Sequence, residues 1–287
     1  MLNIVGINMV ELEQFVRAAL YEDVKDGDHT SLACIPADSR SRARLLVKDV
    51  GVLAGVDLAH YIFKVVDSTA VFEEKLKDGA HVTHGDVAFV VTCNTRALLM
   101  AERLVLNLMQ RMSGVATSTD RFVAEIEHLP VKLLDTRKTT PLNRFIEKWG
   151  VRIGGGNNYR DGLYDRIMIK DNHTDASGGI RNAVERVHRY LKEKDLDLKI
   201  TVEVRNLVEL HDALDVGGID RIMLDNFEPG LMREAVVTIN NRCEVEASGG
   251  VNLHTIRAIA ETGVHFISVG ALTHSVESLD LSLKVIK

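Results

Sequence analysis

Between residues 131 and 269 the chain carries seven short apolar runs: VKLLD (131–135), VRI (151–153), RIMIK (166–170), KITVEV (199–204), RIMLD (221–225), CEVEA (243–247) and HFISV (265–269). Helical patterns such as IRNAVERVHRYLKEK, LVELHDALDV and NLHTIRAIAET separate most of them. Continuous apolar strands alternating with amphipathic helices build βαβ units around a parallel sheet buried on both faces. Seven strands suit an incomplete α/β barrel, one strand short of eight. A doubly wound open sheet is the competing arrangement.

The first part of the chain has a different rhythm. A helix is expected over residues 10–21 (VELEQFVRAALY), followed by the turn-rich EDVKDGDHTS. Short strands follow (RARLLVKD, GVLAG, AVFEEKL, DVAFVVTC), interrupted by the helix DLAHYIFKVV. A long helix is expected over 95–112, apolar except for a stripe of Arg103, Asn107, Gln110 and Arg111. The fold class is therefore α/β plus α+β. A sandwich-like N-terminal α+β domain spans 1–113 and the seven-stranded incomplete barrel 114–273. Residues 274–287 are expected to form a helix packing back on the first domain.

The balance of 35 Lys and Arg against 41 Asp and Glu gives a net charge of −6, so the whole-molecule field attracts neither nucleic acid nor membrane. No apolar run reaches the roughly 18 residues of a membrane span, and the N-terminus reads as lacking a signal peptide. The three scattered cysteines (Cys34, Cys93, Cys243) argue against a disulfide framework or a zinc site and for a cytoplasmic location.

In a barrel, chemistry gathers at the C-terminal ends of the strands. Those ends carry Asp135-Thr136-Arg137-Lys138, Lys170-Asp171-Asn172-His173, Glu203, Asp225-Asn226, Ser248-Gly249-Gly250 and Gly270-Ala271, with Tyr159-Arg160 after the second run. Arg137, Lys138, Arg160 and Lys170 would repel one another around one cavity unless a polyanion fills it. Lys170 closes an apolar run, so it needs an anionic partner, or else a lowered pKa of the kind a Schiff-base lysine uses. Ser248, Gly249, Gly250 and Gly270 suit a phosphate cradle on the last two loops; plain turn chemistry is the alternative. Glu203 and Asp225 suit Mg²⁺, general acid–base work or charge balance. Gly154-Gly155-Gly156 lacks dinucleotide-loop spacing, and no GxSxG elbow occurs.

The ordered set EDVKDGDHTS, GVLAG, AERLVLNLMQRMSGVAT, LLDTRKTTP, EKWGVRIGGGNNYRDGLYDRIMIKDNH, IMLDNF and EASGG resembles the quinolinate phosphoribosyltransferases over nearly the whole chain. The resemblance implies transfer of phosphoribose from phosphoribosyl pyrophosphate to quinolinate, with Mg²⁺, giving nicotinate mononucleotide, pyrophosphate and CO₂. It implies that Arg137, Lys138, Tyr159, Arg160, Lys170 and His173 face quinolinate, with Lys138 and Lys170 also reaching the pyrophosphate. Glu203 and Asp225 would serve Mg²⁺ and ribose, and Ser248, Gly249, Gly250 and Gly270 the 5′-phosphate. Lys138, Lys170, Glu203 and Asp225 are the implied catalytic group, with Thr136 beside them and Asp135 aiming the neighbouring cations. Arg103 resembles an arginine that dimers of this family insert into the partner's site, which implies a homodimer or a higher assembly of it. Two positions depart from the family pattern. Tyr159 stands where His is frequent, and Arg205 where many members have Glu, making Arg205 a candidate to restore the missing positive charge. A molybdenum-associated paralogue using another acceptor, a Lys170 Schiff-base lyase and a non-catalytic ligand-sensing barrel are the other readings.

Overall fold

The computed structural model describes residue 4 and residues 6–286. It divides into two compact units, one of residues 1–117 with 276–287, the other of residues 118–275.

The first unit contains α1 (Met9–Val24), α2 (His29–Cys34), β1 (Arg40–Val47), β2 (Gly51–Val52), α3 (Val56–Val66), β3 (Val71–Glu74), β4 (His81–Val82), β5 (Val87–Asn94) and the start of α4 (Thr95–Ile126). The final strand, β12 (Leu281–Ile286), returns to complete a four-stranded antiparallel sheet of order β12-β1-β5-β3. Strand β1 alternates as the period of two requires: Ala43, Leu45 and Val47 are buried while Arg42 and Arg44 face out. Phe63 of α3 meets Phe89 edge-on at 6.1 Å between ring centres, and Phe72 lies 4.5 Å from Phe89.

Two expectations fail in this unit. The tail is a strand, not a helix. Leu281 and Leu283 alternate with Ser282 and Lys284, and pairing Leu283 with Leu45 buries both leucines. Helix α4 also does not stop before Gly114. A glycine costs a helix about 1 kcal/mol relative to alanine, but here a Cβ would collide with the Glu277 carbonyl and Val276. Gly114 marks that close approach inside a continuous helix. Two members of the polar stripe serve the same returning segment: Gln110 donates to the Leu281 carbonyl at 3.1 Å and Arg111 to that of Val276 at 3.3 Å.

The second unit holds β6 (Lys132–Leu134), α5 (Arg144–Ile153), β7 (Ile167–Ile169), α6 (Asp171–Ser177), α7 (Ile180–Lys194), β8 (Ile200–Val204), α8 (Leu207–Val216), β9 (Arg221–Asp225), α9 (Pro229–Ile239), β10 (Glu244–Ser248), α10 (Ile256–Ala260), β11 (Phe266–Ser268) and α11 (Ala271–His274). The six strands pair in parallel in the order β6-β11-β10-β9-β8-β7. The barrel is incomplete, and it has six described strands rather than seven. Val151-Arg152-Ile153 is the last turn of α5, whose Ile146, Trp149 and Ile153 recur at helical spacing. The place next to β6 is taken by Asn157 through a single parallel bridge to Leu134.

The register aligns the strand ends: Ser248 lies beside Asp225, Glu246 beside both Met223 and Phe266, and Glu203 beside Met223. Apolar residues of one parity, such as Val202, Ile222, Leu224, Val245 and Ile267, are fully or almost fully buried. Glu203, Met223, Asp225, Glu246 and Ser248, of the other parity, line a cavity.

Candidate active site

The cavity at the strand ends has a volume of about 770 Å³. Thr136, Arg137, Lys138, Tyr159, Arg160, Lys170, Glu203, Asp225, Ser248, Gly249, Gly250 and Gly270 all line it. Arg103 belongs to the first unit, where it is exposed. His173 lines a neighbouring cavity of about 530 Å³ that shares Arg137, Arg160 and Lys170 with the first. Its Nδ1 accepts the Lys170 amide at 3.0 Å, closing the first turn of α6 and leaving the proton of the neutral ring on Nε2.

Each cation is delivered by a distinct local device. The Lys138 amide donates to Thr136 Oγ1 at 3.1 Å, and the Lys138 carbonyl accepts from Thr273 Oγ1 at 2.9 Å. Thr139 and Thr140 fasten the same loop to α5 through Arg144 (3.1 Å) and Glu147 (2.8 Å). Lys170 finds its anion in Glu203, Nζ to Oε2 3.0 Å. That contact engages the amine that a Schiff-base reaction would need free to attack a carbonyl. The Arg137 Nε is buried without a hydrogen-bond partner. Burial, and next the charge of Arg137, disfavour the charged form of Arg160. Two guanidiniums crowded in this way fit a cavity built to receive anionic groups.

Asp135 does not aim Arg137 or Lys138. It is fully buried and accepts from Lys148 Nζ at 2.5 Å, the Tyr159 amide at 2.8 Å and Asn158 Nδ2 at 2.5 Å. Burial pushes its carboxyl up, and Lys148 is the largest influence pulling it back. Lys148 also donates to the Tyr159 carbonyl at 3.1 Å. The pair thus fixes the segment that brings Tyr159 and Arg160 to the cavity.

Arg205 does not restore the charge absent at Tyr159. Its guanidinium is held by Asp175 (2.8 and 3.1 Å) and Glu209 (2.5 and 2.8 Å), and it does not line the cavity. Positive charge reaches Tyr159 from beneath instead. Arg221 and Arg166 lie 4.8 and 5.3 Å from its ring centre, and its hydroxyl meets Thr201 Oγ1 at 2.7 Å.

Asn226 and Gly249, which also line the cavity, both have positive φ, 57° and 93°. A Cβ on Gly249 would strike the Asn226 side chain and backbone, so this turn requires glycine. The Asp225 carboxyl accepts from Asn226 Nδ2 at 2.8 Å, while burial and then the charge of Glu203 push it up. Glu246, Ser268, Asp171 and His274 also line the cavity and were not singled out from the sequence. The alternation Glu244, Glu246, Ser248 was the available signal for Glu246.

The model of the quinolinate phosphoribosyl transferase C-terminal domain matches residues 115–284, and that of the N-terminal domain residues 28–113. The chain belongs to the quinolinate phosphoribosyltransferase family. A nicotinate-nucleotide pyrophosphorylase (carboxylating), chloroplastic, of Arabidopsis thaliana is 46% identical over 96% of this chain and 83% of its own length. A quinolinate phosphoribosyltransferase (decarboxylating) of Nicotiana tabacum is 44% identical over 96% and 82%. Among solved structures, NadC from Streptococcus pyogenes superposes with a TM-score of 0.91 at 34% identity, covering 99% of this chain and all of its own. The family fold, an antiparallel α+β domain followed by an incomplete parallel α/β barrel, is the architecture described above.

Proposed function

We propose that the cavity transfers a phosphoribosyl group from phosphoribosyl pyrophosphate to quinolinate and releases CO₂, forming nicotinate mononucleotide for NAD biosynthesis. The observation that carries this reading is convergence. Arg137, Lys138, Arg160 and Lys170 come from three separate loops to one cavity, which Ser248-Gly249-Gly250 also lines. Quinolinate brings two carboxylates and its co-substrate a phosphate and a pyrophosphate, which together more than offset those four positive charges.

Arg137, Tyr159, Arg160 and His173 hold the pyridine dicarboxylate. Ser248, Gly249, Gly250 and Gly270 receive the 5′-phosphate. Lys138 and Lys170 stand where pyrophosphate departs, and Glu203 orients Lys170 through their ion pair. As the ribose C1 bond to pyrophosphate breaks, the lysines stabilise the negative charge that develops on the leaving group. The pyridine nitrogen attacks C1, and the resulting pyridinium draws electrons from the adjacent carboxylate, which leaves as CO₂. No side chain forms a covalent intermediate.

The donor set fits Mg²⁺ held chiefly by its substrate. Among the described residues no group of three or more His, Cys, Asp or Glu is placed to bind a metal, but magnesium commonly uses one or two carboxylates with substrate phosphates. Glu203 and Asp225 are such a pair; burial, and then the charge of Glu203, raises Asp225, and a divalent cation would favour its charged form. Glu203 and Asp225 would hold Mg²⁺ together with the substrate, where it would supply positive charge to the leaving group.

The active unit is a homodimer in this reading, with Arg103 of one subunit completing the partner's quinolinate site. No helix among the described residues is long and apolar enough to cross a membrane, and the three free cysteines support a cytoplasmic location. The direct test combines protein, quinolinate, phosphoribosyl pyrophosphate and Mg²⁺ and follows CO₂ and nicotinate mononucleotide. A folded protein that forms neither product overturns the reading.

A further inference from the structure

Loss of CO₂ from C2 of the ribosylated ring leaves an electron pair on that carbon. Nicotinate mononucleotide has hydrogen there, so a proton must arrive before product leaves. Four carboxyl groups line the cavity: Asp171, Glu203, Asp225 and Glu246. Glu203 is engaged by Lys170, Asp225 stands beside Glu203 and accepts from Asn226, and Asp171 accepts its neighbour's amide at 2.7 Å. Glu246 differs from all three. It is wholly buried, and its Oε1 has no hydrogen-bond partner.

The surroundings of Glu246 favour a proton on that oxygen. One guanidinium, Arg221, serves two carboxylates: Nε and Nη2 donate to Glu244 at 3.0 and 2.7 Å, and Nη1 donates to Glu246 Oε2 at 3.0 Å. Arg221 is also covered by the Phe266 ring at 3.8 Å. Two acids against one cation leave the pair one positive charge short, and Glu246 is the one sealed from water. Burial raises its carboxyl, while Arg221, Ser268 and Tyr159 act against that rise. Its field is also felt at Arg160, on the side of the cavity assigned above to the pyridine dicarboxylate.

We infer that Glu246 is the acid that protonates C2 after decarboxylation, an inference that rests on the proposed activity. The O–H bond at Oε1 breaks and its electron pair stays on the carboxylate. The proton bonds to C2 through the pair that CO₂ left behind. Arg221 then holds the carboxylate, and water restores the proton before the next turnover. Until C2 is protonated, CO₂ loss can reverse, so this step commits the intermediate to product.

The test is a single-turnover reaction of Glu246→Gln, with pyrophosphate and nicotinate mononucleotide measured separately. Pyrophosphate release precedes the proton transfer and keeps its wild-type rate. Nicotinate mononucleotide formation slows about 100-fold, the usual scale of a lost general acid, and the ribosylated but still carboxylated intermediate accumulates. Equal slowing of both products, or slowing of neither, overturns the inference. If the glutamine variant does not fold, as judged by its thermal transition, Glu246→Asp decides the matter. Withdrawing the acid by one methylene produces the same split in smaller measure, and no split refutes the role. Wild-type protein in the same assay separates the two ideas. No product from wild type sinks the proposed activity, whereas normal wild-type turnover with an unaltered variant sinks only the donor.

Discussion

Lys148 Nζ lies 2.5 Å from Asp135 Oδ1, with both side chains almost completely shielded from water. Removing one member of a buried pair strands the other charge, at a cost of about 3–5 kcal/mol. Lys148→Met is expected to lose stability on that scale in urea unfolding, because Asp135 retains only amide donors. The double variant Asp135→Leu/Lys148→Met should recover part of the loss, since neither charge then remains. An equal or larger loss in the double variant means that Asp135 anchors the Tyr159 segment independently of Lys148.

Arg160 tests the substrate side of the cavity. Its planar fork suits a carboxylate in a way a lysine ammonium does not. A charge-assisted hydrogen bond is worth about 1.5–3 kcal/mol, so Arg160→Leu should lower kcat/KM for quinolinate by roughly 10- to 100-fold. The KM for phosphoribosyl pyrophosphate should change little. Steady-state kinetics with each substrate varied in turn checks this, and a loss confined to phosphoribosyl pyrophosphate reverses the assignment.

Much of this site was legible because a parallel barrel brings its strand ends together. Asp225 and Ser248 end their strands, Glu203 is the last but one residue of its own, and Lys170 and Arg137 stand one and three residues beyond theirs, so identifying the strands located them. The misreadings have physical causes. Val151-Arg152-Ile153 is too short for periodicity to separate a strand from a helical turn. The C-terminal segment alternates with period two over only a few residues, and its pairing with β1 depends on a partner more than two hundred positions away. Asp135 looked like an accessory to its sequence neighbours, whereas its hydrogen bonds go to Lys148, Asn158 and Tyr159. Arg205 lies one residue beyond a strand end, but Asp175 and Glu209 hold its guanidinium.

Asp78 provides a pH test of the first unit. Its Oδ1 accepts the Val56 amide at 2.7 Å at the start of α3, while its Oδ2 is buried without a partner. Burial pushes its pKa from 3.8 up to about 6. The folded state therefore binds this proton more tightly than the unfolded chain. The stability it contributes is fully present below about pH 4 and is lost as pH rises through about 6. About 1.4 kcal/mol per pKa unit sets a change on the order of 2–3 kcal/mol. Asp78→Asn keeps an oxygen for the helix cap and removes the titration. Its urea-derived stability should vary less than that of wild type between pH 4 and pH 7, and an unchanged profile refutes the assignment.

Arg103 carries the dimer proposal. It is an exposed cation on α4, in the first unit, whereas the cavity is lined by residues of the second. If one subunit's Arg103 completes its partner's site, Arg103→Ala and Lys170→Ala proteins are each nearly inactive alone. Random exchange makes about half of the dimers mixed, and each mixed dimer carries one site with both residues native, so activity should return to about a quarter of wild type. Subunit exchange is verified by mass difference between tagged chains. Proven exchange without recovered activity places both residues in a site formed by a single chain and removes the case for a shared one.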